Sequence, residues 1–101
     1  MNQQESGSAA DLMHDESRSR YELRLGGRAV AHAQYRREGD RVVFTHTEVD
    51  GAHEGQGLAS RVAAYALEDV RRRGLKAVPE CSFVARYIER HAGEYGSLVA
   101  R

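Results

Sequence analysis

The feature that most constrains this chain is a change of grammar at Asp50. Ahead of it, apolar side chains recur at every second residue; from Leu58 to Arg73 they recur at the spacing of a helix. The residues between, 50–57 (DGAHEGQG), hold three glycines and no apolar side chain larger than alanine. A period of two means a strand with one face buried, and a period near 3.6 means an amphipathic helix. The order therefore reads as an antiparallel sheet, then a glycine-rich loop, then a helix.

The strands follow from the alternation. In residues 18–25 (RSRYELRL), Tyr21, Leu23 and Leu25 share one face, while Glu22 and Arg24 share the other. Gly26-Gly27 suits a two-residue hairpin turn. Residues 28–37 (RAVAHAQYRR) put Ala29, Ala31, Ala33 and Tyr35 together, and Glu38-Gly39-Asp40 signals a second turn. Residues 41–49 (RVVFTHTEV) are rich in β-branched and aromatic side chains, which favours a third strand and an antiparallel three-stranded meander. The helix over 58–73 presents Leu58, Val62, Ala66 and Val70 on one stripe, and Gly74 stops it. Arg71, Arg72 and Arg73 complement its C-terminal dipole and form a solvated face rather than a nucleic-acid patch. Residues 75–79 (LKAVP) make a short strand, parallel to its neighbour through the crossover helix, and 82–91 (SFVARYIERH) return to helical period. The fold class is α/β with a mixed sheet, in the order β-β-β-α-β-α.

Charge excludes some partners. The 15 Lys+Arg balance the 15 Asp+Glu, which argues against nucleic acid. No apolar run approaches the roughly 20 residues that span a bilayer, so no membrane partner is expected. The N-terminus lacks the basic and apolar regions of a secretory signal, and a single cysteine makes no internal disulfide; a cytoplasmic protein is expected. Residues 1–16 are polar and aperiodic and are expected to be a disordered tail, leaving one domain over 17–101. An exposed first strand permits edge pairing, so the chain is expected to be a monomer or a weak homodimer.

Gly55-Gln56-Gly57 stands at a strand-to-helix junction, where glycine lets backbone approach a ligand and the first helical turn offers unpaired N–H groups. That combination is an anion site, most often for phosphate or pyrophosphate. No Lys-Ser/Thr follows as in a P-loop, and Gly55, Gly57 and Ser60 do not make GxGxxG. Glycines that only turn the chain are the alternative. His53 and His91 have no metal-ligand spacing, and no metal is expected. Cys81 opens the last helix, where the dipole favours a thiolate; a small apolar filler is its other reading. His46 and Glu48, two residues apart on the third strand, share a face and are candidates to take a proton.

A meander followed by Glu54-Gly55-Gln56-Gly57-Leu58-Ala59 and a long helix resembles the acetyl-CoA-binding core of the GNAT acetyltransferases. Their signature, Arg/Gln-x-x-Gly-x-Gly/Ala, is met at Gly57 and Ala59, with an acid, Glu54, where Arg or Gln is expected. Val78-Pro79-Glu80-Cys81-Ser82 with Tyr87-Ile88 and His91 is similar to the small stand-alone GNAT-like family (yjdJ-type), over about residues 20–99. That family usually continues His-Pro-Glu-Tyr, whereas this chain reads His91-Ala92-Gly93-Glu94-Tyr95. The resemblance implies a minimal GNAT acyltransferase fold with acetyl-CoA as co-substrate, held between splayed strands 41–49 and 75–79. Its pyrophosphate would lie on Glu54, Gly55, Gln56, Gly57, Leu58, Ala59 and Ser60, chiefly on their amides, and its pantetheine arm would pair near Thr47 and Val49. The Glu54 side chain is expected to point to solvent, with His53 or Arg61 compensating its charge. Cys81 is implied near the thioester as acyl acceptor, or as a group that polarises or packs the acetyl.

The expected activity is acetyl transfer to a primary amine on a protein or small molecule. Short connections between the early strands leave the acceptor side open. The other readings are a CoA-binding interaction module without turnover, and a Cys81-dependent self-acylating or thioester-cleaving protein.

Overall fold

The structure, a computed structural model, describes residues 10–100. Five strands lie side by side in chain order: β1 (Ala10–Asp15), β2 (Arg20–Leu25), β3 (Arg28–Glu38), β4 (Arg41–Val49) and β5 (Lys76–Pro79). The first four are antiparallel, and β5 runs parallel to β4. Helix α1 (Leu58–Arg72) makes the crossover; α2 (Ser82–Arg90) and the short α3 (Ala92–Tyr95) follow β5. The hairpin turns fall at Gly26-Gly27 and Gly39-Asp40, as the turn residues predict. No helix among the described residues is long and apolar enough to cross a membrane.

The expected tail is corrected by the sheet. Residues 1–9 lie outside the described residues, but Ala10–Asp15 pair with β2 along their whole length, so the sheet has four antiparallel strands and not three. Ala10, Leu12 and His14 stand opposite Leu25, Leu23 and Tyr21, on the core face. The pairing uses backbone hydrogen bonds that composition does not reveal. His14 then docks the strand: its ring stacks on Tyr21 with centroids 4.1 Å apart, and its Nε2 lies 2.6 Å from the Tyr35 hydroxyl. Asp69, buried on α1, completes the network by accepting from Tyr21 Oη (2.8 Å), Arg73 Nε (3.0 Å) and Arg72. Burial pushes the His14 pKa down against the opposing pull of Asp69, and it raises the Tyr21 phenol well above its ordinary value.

Both longer helices cover one sheet face. Leu58, Val62, Ala66, Leu67 and Val70 of α1, with Val84 and Ile88 of α2, pack on Tyr21, Leu23, Ala31, Ala33, Tyr35, Phe44 and Ala77. Each buried Val or Leu contributes about 1.5–3 kcal/mol, so the α1 stripe alone accounts for much of the docking. Two bulges decide which residues reach this face. The first pairs Leu23 with Ala31 but Arg24 with Ala29, so Ala29 leaves the face on which strict alternation placed it. The second pairs Gln34 with His46 but Tyr35 with Phe44, making Thr45 the extra residue. On the opposite face Glu22 is wholly buried beneath two arginines, Arg20 Nε at 2.9 Å and Arg24 Nη2 at 2.8 Å. The Arg20 contact is close but poorly aligned for a hydrogen bond, so Arg24 is the better of the two partners.

Candidate functional site

β4 and β5 part after four residue pairs. Their last is Phe44 with Pro79, and Pro79 has no N–H to extend the ladder. The Cys81 N–H closes the seam on the Phe44 carbonyl at 2.9 Å, and the chain turns away into α2. β4 continues to Val49, so the β5-facing edge of residues 45–49 finds no strand partner among the described residues. The gap opens into a groove of about 330 Å³ lined by Thr47, Val49, His53, Glu54, Gly55, Gly57, Leu58, Ala59, Ser60 and Phe83.

The rim of that groove is the glycine loop. Gly55 and Gly57 sit at φ +83° and +73°, in the left-handed region that favours glycine, and Gly57 caps α1. The first α-helical bond runs from the Arg61 N–H to the Gly57 carbonyl. The N–H groups of Leu58, Ala59 and Ser60 therefore precede the helical ladder, at the positive end of a helix fifteen residues long. Thr47 Oγ1 stands 3.2 Å from Cys81 Sγ, across 34 residues of sequence, which brings the thiol beside the groove floor.

Most of the sequence-predicted binding residues meet here; Gln56 does not, since its two neighbours line the groove and it is exposed outside the lining. Glu54 is exposed at the rim, as expected. The expected compensation of its charge is corrected: His53 Nδ1 pairs with Asp50 at 3.1 Å, and Arg61 lies on another surface with Leu12 and Tyr65. His46 and Glu48 pair with each other at 3.2 Å on the sheet face opposite Thr47, because strand neighbours alternate. They are thus not gathered with Cys81 on one face. Glu48 instead lines a shallow depression on its own side with Arg20, His32 and Asp50. Val49 lines both hollows, so the two meet at the end of β4. Burial, and after it the neighbouring Arg20, lower the His32 pKa.

Sequence reasoning missed Phe83, which stands against the groove from the first turn of α2 and shares a second, smaller hollow with Ser60, Arg86, Tyr87, Arg90 and His91. An aromatic two residues after Cys81 was the available signal. Among the described residues no three His, Cys, Asp or Glu gather as a metal site.

Comparison with known proteins adds to this geometry. A family model described as GCN5-related N-acetyl-transferase matches residues 20–98. Protein NATD1 of Gallus gallus is 36% identical over 89 residues, covering 84% of this chain and 79% of that protein. Protein NATD1 of Homo sapiens is also 36% identical over 89 residues, covering 84% and 77%. The solution structure of a GCN5-like protein from Staphylococcus aureus superposes with a TM-score of 0.65 at 21% identity, covering 94% of this chain and 90% of that one. The ribosomal-protein-S18-alanine N-acetyltransferase of Escherichia coli superposes at 0.56 and 17% identity, covering 74% of this chain and 45% of that one. At these identities the two structures are alike in fold.

Proposed function

Because this chain belongs to the GCN5-related N-acetyl-transferase family, we propose that it binds acetyl-CoA in the groove between β4 and β5 and transfers the acetyl group to a primary amine. The observation that carries this reading is the parting of β4 from β5 directly beside a left-handed glycine cap. The pyrophosphate is then held by the amides of the loop and of Leu58, Ala59 and Ser60, and the pantetheine amides pair with the free edge near Thr47 and Val49. The thioester lies toward Thr47 and Cys81. An amine arriving from the depression on the other side of Val49 attacks the carbonyl carbon; the new C–N bond forms as the C–S bond breaks and CoA leaves as thiolate. Glu48 or His46, on that side, accepts the amine proton directly or through water.

The contact between Thr47 and Cys81 favours one further reading, acyl transfer to the thiol itself. Calorimetric titration with acetyl-CoA and with CoA, intact mass after incubation, and product analysis over an amine panel separate these. Micromolar binding with acetylated amine supports direct transfer. A gain of one acetyl that disappears in Cys81→Ala supports the covalent route. Binding without either product makes the chain a CoA-binding module, and no binding of either ligand refutes the groove assignment.

A further inference from the structure

The sheet face away from the helices carries an ordered polar array. Glu22, His32 and Glu48 stand directly opposite one another across β2, β3 and β4, so their side chains form one cross-strand row. Glu22 is wholly buried and holds Arg20 Nε at 2.9 Å. The other end of the same guanidinium, Nη2, lies 3.3 Å from His32 Nδ1. A guanidinium has protons to give and no lone pair to offer, so Nδ1 must accept. Burial, and after it Arg20, favour the singly protonated ring, which then carries its proton on Nε2. A buried carboxylate and the cation it anchors thus fix His32 as a donor at Nε2.

His32 and Glu48 both line the depression at the end of β4, about 350 Å³ in volume. It lies where β3 bulges, with Leu23 paired to Ala31 and Arg24 to Ala29, and the small alanines leave room. Of its two carboxylates, Asp50 is engaged by Arg28 at 3.6 Å and by His53 Nδ1 at 3.1 Å. Glu48 meets His46 through one oxygen, Oε2, at 3.2 Å. A carboxylate accepts several hydrogen bonds, so Glu48 can still take one from an incoming amine. A ligand between His32 and Glu48 therefore meets a fixed donor on one wall and an acceptor on the other. Resting on the proposed acetyl transfer, we propose that the depression selects an α-amino carbonyl compound, whose amine bonds to Glu48 while its carbonyl oxygen accepts from His32 Nε2–H. His32 determines the specificity, and Arg20 with Glu22 positions it. An alkylamine or polyamine brings a donor for Glu48 and nothing for His32 to bond, which leaves a polar group of the site unpaired. The carboxylate of a free amino acid and the first carbonyl of a peptide present the same acceptor beside the amine.

The test is steady-state acetylation of glycinamide, glycine and n-propylamine by the full chain with acetyl-CoA, the acetylated products being quantified by mass. The ratio of kcat/KM for glycinamide to that for n-propylamine is compared between wild type and variants, which removes the intrinsic reactivity of the amines. That ratio is expected to fall about tenfold in His32→Leu. It is expected to be largely kept in His32→Gln, whose amide N–H replaces the Nε2 donor. Arg20→Lys keeps the charge over Glu22 but lacks the fork that spans Glu22 and His32, so the ratio should fall there too. Glycine used faster than glycinamide identifies a free amino acid as the acceptor class, and the reverse order identifies a peptide. Nitrogen NMR of the imidazole rings is expected to find the wild-type His32 proton on Nε2. A proton on Nδ1, a ratio that His32→Leu leaves unchanged, or equal losses in the Leu and Gln variants overturn the inference while the transfer reading stands. Wild type that acetylates none of the three amines refutes transfer at this depression, and the inference with it. Unchanged thermal unfolding of the His32 variants establishes that their effects are local.

Discussion

Gly57→Ala gives a prediction whose magnitude follows from the backbone. Gly57 holds φ +73° and ψ +18° at the head of α1. A residue with a Cβ costs about 1–2 kcal/mol in that conformation. No clash adds to this, because a Cβ at position 57 meets nothing within 4 Å. In a domain of this size 1 kcal/mol moves Tm by about 4–8 °C, so the variant should melt about 5–15 °C below wild type. Gly51→Ala is the control: its Cβ also meets nothing, its φ is not left-handed, and Tm should hold or rise.

The same substitution tests the site. A chain that relieves the strain by leaving the left-handed region rotates the peptide between positions 57 and 58, and the Leu58 N–H swings away from the groove rim. Affinity for CoA should then fall about tenfold or more. Scanning calorimetry and titration on the same samples read both effects. An unchanged Tm refutes the conformational argument. A lowered Tm with unchanged CoA affinity refutes the assignment of these amides to the pyrophosphate.

Three further predictions concern the frame that holds the site. Leu12→Asp, which puts a charge on the core side of β1, should cost about 1–2 kcal/mol in urea unfolding, while Asp11→Lys on its exposed side should stay within about 0.5 kcal/mol; two silent substitutions would mean that β1 is no part of the fold. Asp69→Ala should cost about 3 kcal/mol, below the upper range for a broken buried pair because Arg72 can return to solvent. Tyr21→Phe should cost about 1 kcal/mol alone and little more in the Asp69→Ala background, so strict additivity in the double-mutant cycle would deny their bond. Burial holds the His14 and His32 pKa values below 6.5. The unfolded chain therefore binds more protons as pH falls, and stability is full above 6.5 and lost as pH drops through it toward the lower folded values. Tm should be lower at about pH 5.5 than at about pH 7.5, with a smaller difference in His14→Gln; a Tm that rises on acidification contradicts the burial of these rings.

The sequence by itself determined what depends on neighbours in the chain. Alternation in 20–25, 28–38 and 41–49 made strands, the 3.6-residue stripe from Leu58 made a helix, and glycine chemistry placed the loop that caps it. The parallel strand after the crossover followed because so short an apolar run has no other use. The family could be recognised for the same reason, since its motifs are local. Tertiary structure decided what depends on pairing across distance. β1 reads as polar tail because an edge strand is held by backbone bonds and by His14 on Tyr21 and Tyr35, none of which leaves a compositional trace. Bulges in β3 and β4 shift alternation by one residue, which sent Ala29 off the core face and left Thr45 without a pairing partner in β3. A bulge costs one ladder bond and has no fixed residue type, so the chain alone does not announce it. Cys81 came within 3.2 Å of Thr47 only once β5 had paired with β4. Local periodicity fixes which elements form; which side chains share a face, a groove or a partner is fixed by register, and register is set by the whole sheet.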